Sequence, residues 1–180
     1  MKKYILLLLL VTLLIGCNKT ELIYNAPTND QIVDYVYSNR LDLQDSIWIN
    51  DSAIILLENS LVTLYADQHG KVYDQKVSWG TNSSDPVFVG NGNPFVAVVI
   101  NDNLLSSGAD RILITYTNGK SYSRGITGMK GYLIPNTEIS EIDDIIIVDN
   151  EGEELYKKRL NLNRKPKYGY FEGGFYLIII

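Results

Sequence analysis

The rhythm of apolar and polar residues changes along the chain. Tyr4 to Ile15 carries no charge, and Thr12 is its one clearly polar side chain. Residues 18–30 are polar and include Pro27, which suits a short tether. From Ser46 onward, apolar runs alternate with turn-forming residues at intervals of roughly 8–12 residues, the spacing of strands in a sandwich or barrel. Ala53 to Leu57, Leu61 to Ala66, Val72 to Trp79, Phe95 to Ile100, Ile112 to Thr117 and Ile145 to Val148 are clear examples. No long segment keeps the period of a helix. Upstream, Thr28-Asn29-Asp30 can cap a short helix through Tyr37, with Ile32, Val33 and Val36 on one side. Val, Tyr and Ile suit strands as well.

Turn chemistry separates the strands. Asp67-Gln68-His69-Gly70 and Asp149-Asn150-Glu151-Gly152 place Asp first and Gly last, as in a type I turn closed by a left-handed glycine. Asn118-Gly119 marks a further hairpin. Gly90-Asn91-Gly92-Asn93-Pro94 reads as a loop feeding the strand at Phe95. The two Asp-x-x-Gly hairpins hint at a duplication of about residues 47–80 onto 110–160, an echo that common turn chemistry also produces. Phe175 to Ile180 is apolar throughout and is expected to form a central or well-covered strand. The expected fold is all-β: an antiparallel β-sandwich of about ten strands, immunoglobulin- or fibronectin-like by fold-level analogy.

The opening run needs its own account. From Tyr4 to Gly16 a helix would reach about 20 Å at roughly 1.5 Å per residue. The hydrocarbon core of a bilayer is about 30 Å thick. Extending the helix would bury Asn18, Lys19 and Glu21, which is costly. Lys2-Lys3 followed by a short apolar stretch therefore reads as an export signal. The stretch ends Leu14-Ile15-Gly16-Cys17, and Cys17 is the sole cysteine.

These residues resemble the lipobox of bacterial lipoproteins: an aliphatic residue three before the cysteine, a small residue just before it, then Cys. The resemblance covers residues 1–17. It implies a diacylglyceryl group on the Cys17 thiol, cleavage between Gly16 and Cys17, and a new acylated N-terminus carrying palmitate-type chains. One acyl chain binds a membrane marginally and two hold stably, at about 0.8 kcal/mol per buried CH₂. An ordinary core cysteine is the competing reading. It is disfavoured because Cys17 lies between the signal run and Asn18-Lys19-Thr20.

The chain then divides into a signal peptide (1–16), a lipid-anchored tether with a short helix (17–45) and a single β-sandwich domain (46–180). Removing Lys2 and Lys3 takes the formal charge from −5 to −7, unsuited to nucleic acid. With Cys17 acylated no thiol remains for a disulfide, so the core must supply stability.

Candidate chemistry is sparse. The one histidine, His69, falls in a turn, and no Gly-x-Ser-x-Gly elbow or phosphate-binding loop is present. Asp149, Glu151 and Glu153 are oxygen ligands of the kind Ca²⁺ uses outside cells, without its usual loop spacing. A solvated acidic turn is the favoured explanation of them. Glu138, Glu141, Asp143 and Asp144 form a second acidic group, the carboxylates a small hydrolase would need. Trp79, beside Gly80, and Tyr132 are candidate binding aromatics, against the alternative of ordinary strand packing. Lys157, Lys158 and Arg159, with Arg164, Lys165 and Lys167, form the basic cluster, suited to anionic headgroups or to a solvated hairpin. The expectation is a non-catalytic binding or interaction module on the exported side of the bacterial envelope, without a cofactor. Its partners would be the membrane, through the lipid, and an envelope protein. A ligand- or Ca²⁺-binding extracellular domain is the alternative.

Overall fold

The computed structural model describes residues 23–80, 85–136 and 141–160, together with the backbone of strands Lys167–Tyr170 and Tyr176–Ile179; for 91–93 the backbone alone is described. The chain is mostly antiparallel β, arranged as three stacked sheets with one helix on the outside.

The first sheet comprises β1 (Tyr24–Asn25), β2 (Leu43–Ile49), β3 (Ser52–Leu57), β4 (Ser60–Asp67) and β5 (Val72–Ser78). β2 to β5 form a meander with β3 and β4 inside, and β1 pairs the end of β4. The central sheet holds β6 (Val87–Asn93), β7 (Phe95–Ile100), β10 (Gly131–Pro135), β13 (Lys167–Tyr170) and β14 (Tyr176–Ile179), in the order β10-β7-β6-β14-β13. The third holds β8 (Arg111–Tyr116), β9 (Ser121–Gly125), β11 (Ile142–Val148) and β12 (Glu154–Arg159), in the order β12-β11-β8-β9. The helices are α1 (Asn29–Ser38) and α2 (Asp102–Ser106). Among the described residues no helix is long and apolar enough to cross a membrane.

Strand parity builds the layers, because successive side chains point to opposite faces. On β3, Ala53, Ile55 and Leu57 face α1, while Ile54 and Leu56 face the central sheet. On β7, Phe95 and Ala97 meet the first sheet, while Val96, Val98 and Ile100 meet Ile112, Ile114, Ile145 and Ile147 of the third. Both strands are covered on both faces, hence their near-continuous apolar sequences. The sandwich therefore has three sheets, whereas the sequence reading held one β-sandwich domain. β14 lies between β6 and β13, an interior place in the sheet, as expected for the apolar C-terminal run.

Residues 24–45, expected as part of a tether with a short helix, form that helix, α1, and contribute β1 and the start of β2 to the first sheet. Thr28 caps α1 reciprocally: its side chain accepts from the Gln31 N–H, and its own N–H donates to Gln31 Oε1 at 2.8 Å. Gln31 Nε2 continues to the Gly70 carbonyl at 2.9 Å. Ile32 is buried, Tyr35, Val36, Leu41 and Leu43 pack beside it, and Val33 points outward. The domain body thus begins well before residue 46.

β6 corrects a second expectation. Residues 90–93 are strand, not loop: Gly90 pairs Ala97 and Ile179, and Gly92 pairs Leu177. The hairpin turns also differ from a duplication. Asp67, Tyr116 and Asp149 each bond through their N–H to the carbonyl four residues on and accept from the glycine three residues on. Gly70, Gly119 and Gly152 sit at φ of +80°, +81° and +89°. One turn geometry recurs in different sheets, which is local chemistry and not a repeated domain.

β10 meets the first sheet edge-on. A bulge at Gln44 in β2 places Gln44 and Asp45 against it. The Leu133 N–H donates to Asp45 Oδ2 at 2.7 Å, Arg124 donates to the Leu133 carbonyl, and the Lys130 N–H donates to Gln44 Oε1 at 3.0 Å. Arg124 also pairs with Asp45 at 2.7 Å. Side chains, not a further strand, take up these edge groups.

Candidate functional site

Where the first and central sheets part at one end, a cleft of about 190 Å³ opens, lined among others by Glu58, Trp79, Asp85, Phe88, Asp102 and Lys130. Trp79 follows β5, and its N–H is held by the Asn59 carbonyl at 3.0 Å. Its ring stacks on Phe88 at 4.5 Å between centroids and 6° between planes. Phe88 is available for this because its neighbours Val87 and Val89 point the other way, into the core shared with the third sheet.

Charge on the cleft is fixed by ion pairs. Lys130 Nζ lies 2.9 Å from Asp102 and 3.3 Å from Glu58, joining the loop before β10 to α2 and to the β3–β4 turn. Hydrogen bonds to Asp102 and then Glu58 hold its pKa above the ordinary value, which favours the charged ammonium. Asp85 accepts from the Tyr156 hydroxyl at 2.5 Å and from Lys158 at 2.9 Å, clamping β6 to β12. Burial pushes the Asp85 carboxyl up, but these bonds outweigh it and hold it below its usual range. Burial and then the bond to Asp85 push the Tyr156 hydroxyl up. A flat aromatic pair beside fixed charges suits recognition of a small polar ring or a side chain.

The other sequence candidates are dispersed. Tyr132 is 1% exposed, and its hydroxyl accepts from Thr127 N–H and donates to the Met129 carbonyl at 2.7 Å, so it packs the core and offers no ring face to a ligand. Asp149 Oδ1 accepts from the N–H groups of Glu151 (3.0 Å) and Glu153 (2.8 Å), shaping its own turn. Among the described residues no three His, Cys, Asp or Glu side chains converge to hold a metal. His69 lies in the matching turn, its N–H on Asp67 Oδ1 at 2.8 Å.

Asp144, weighed as a hydrolytic carboxylate, is 6% exposed and tied to Lys157 at 2.9 Å and Arg159 at 3.4 Å. The bond from Lys157 leads in holding it below its usual range. Lys157 and Arg159 share Asp144 and Lys158 pairs with Asp85, so two carboxylates offset part of the charge of these three cations. Gly16, Cys17, Glu138, Arg164 and Lys165 lie outside the described residues, as do the side chains of Lys167, Tyr168 and Tyr170.

Of the cleft, the sequence pointed only to Trp79. Glu58, Phe88, Asp102 and Lys130 come from four separate segments, and only the stacking of two sheets brings them together. Comparison with protein-family models, with curated proteins and with solved structures gives no match.

Proposed function

We propose that the chain is a lipoprotein of the bacterial envelope, anchored through Cys17, whose β body is a non-catalytic binding module with the cleft beside Trp79 as its contact site. The observation that carries the anchor is the lipobox-like Leu14-Ile15-Gly16-Cys17 behind Lys2-Lys3 and an uncharged run. Cleft geometry supports the binding role. The carboxylates with shifted pKa, Asp67, Asp85 and Asp144, are all lowered by fixed partners. That suits holding strands together, whereas a general acid needs a raised value. An immunoglobulin- or fibronectin-like architecture is proposed only for the packing of the third sheet on the central one, since the first sheet and α1 lie outside it.

The test is a cross-linking capture from intact cells with native protein, Cys17→Ala and Asp102→Asn. Native protein should enter the detergent phase and capture a defined species. Cys17→Ala should stay in the aqueous phase, and Asp102→Asn should remain anchored with reduced capture. Membrane partitioning by Cys17→Ala would refute the anchor. Unreduced capture by Asp102→Asn would remove the cleft from the contact.

A further inference from the structure

Among the described residues, seven large apolar side chains are exposed, and five of them, Ile23, Tyr24, Val33, Tyr37 and Trp48, fall between residues 23 and 48. Isolated exposed apolar residues are ordinary, but their concentration in one stretch is informative. Val33 (62% exposed) and Tyr37 (84% exposed) stand one turn apart on the solvent side of α1, the outermost layer of the stack. Trp48 (44% exposed) joins them at the helix start, its Nε1 donating to the Pro27 carbonyl at 3.0 Å. Its cross-strand partner is Ala53, which faces α1, so the indole lies on the helix side of the sheet.

We infer that the body rests on the bilayer through this helix layer, with Val33, Tyr37 and Trp48 in the headgroup region. The inference rests on the anchoring reading above and deepens it. Its first support is chain length. Seven residue steps separate Cys17 from Tyr24, where β1 begins, and a fully extended chain covers about 25 Å in that distance. A lipid on Cys17 therefore keeps β1, a strand of the sheet that carries α1, within about 25 Å of the surface. The second support is residue type. Tyr and Trp favour the interface, where an apolar body meets a wet polar tip. Charge selects the lipid: α1 carries Asp30 and Asp34 and no basic residue, so zwitterionic headgroups suit it and anionic ones repel it.

The test uses full-length lipidated protein with a nitroxide on Tyr37→Cys, on Val33→Cys, or on Tyr122→Cys in β9 of the far layer. These are exposed positions, and the Cys17 thiol is occupied by lipid. In phosphatidylcholine vesicles, the labels at 33 and 37 should be shielded several-fold from a water-soluble nickel relaxant relative to 122. Phosphatidylglycerol in the vesicles should weaken the shielding. Equal accessibility at all three sites in protein that floats with the vesicles would overturn the resting face and leave the anchor standing. Protein that neither carries lipid nor floats would overturn both. Shielding in intact cells but not in vesicles would assign the face to a protein partner and overturn the lipid.

Discussion

Gly131 opens β10 at the point where the central sheet meets the first. A methyl group there would lie 2.7 Å from Leu56 Cδ2, 2.9 Å from Gln44 Cβ and 3.1 Å from Leu56 Cγ. Leu56 is fully buried between two sheets, and Gln44 Cβ is bonded directly to the backbone of β2, so neither can retreat freely. Overpacking of this kind costs about 1–3 kcal/mol. Backbone entropy pulls the other way: Gly→Ala where the conformation is compatible stabilises by about 0.4–1 kcal/mol. The steric term is larger, so Gly131→Ala should be destabilising by about 1–2 kcal/mol. At about 2–4 °C per kcal/mol for a domain of this size, Tm should fall by roughly 2–8 °C in a circular-dichroism melt. Gly125→Ala is the control, since a Cβ there meets nothing within 4 Å and the backbone is extended. It should leave Tm unchanged or raise it slightly. A Gly131→Ala protein melting at or above the native temperature would refute the close approach of β10 to β2 and β3.

Asp45→Ala leaves the Leu133 N–H and Arg124 without their shared carboxylate; with Asp45 only 18% exposed, denaturant melts should show a loss of about 2–3 kcal/mol. Asp144 titrates below its ordinary value of 3.8, so its contribution is complete above that pH and is lost as pH falls through the lower folded-state value. Asp144→Asn should flatten the acid limb of the stability curve and cost about 1–2 kcal/mol at neutral pH, since Lys157 and Arg159 are exposed enough to rehydrate; an unchanged acid limb would count against the ion pairs. Thr28→Ala removes the N-cap of α1 and should cost about 0.5–2 kcal/mol in the same melts. Deleting Leu177 to Ile180 strips β6 of its neighbour, and a truncated protein melting cooperatively at the native temperature would disprove the place given to β14.

Strands were legible in the sequence wherever burial is uniform or turn chemistry is strong. Ala53–Leu57 and Phe95–Ile100 are apolar on both faces and declare themselves, and Thr28 announced its helix. β6 was not legible, because Gly90, Gly92 and Asn93 are poor strand formers whose pairing is imposed by β7 and β14. The bulges at Gln44 and Asp143 were equally hidden, since each is defined by the partner strand and not by its own residues. Division into three sheets depends on which face of β7 meets which neighbour, and an unbroken apolar run erases that information. The cleft followed the same logic: Trp79 could be suspected from its place beside a loop, while Lys130 gained meaning only from carboxylates 72 and 28 positions away.

The dressed edge of β10 matters most for a protein confined to a surface. An anchored population spreads in two dimensions, where copies meet far more often than the same number dissolved in a volume. A bare strand border under those conditions is an invitation to pair with the next copy. Asp45, Arg124 and Gln44 take up the border groups at Leu133 and Lys130 with charge and hydrogen bonds from within the same chain, so under the anchoring proposed above the ladder is interrupted where a neighbouring copy would extend it.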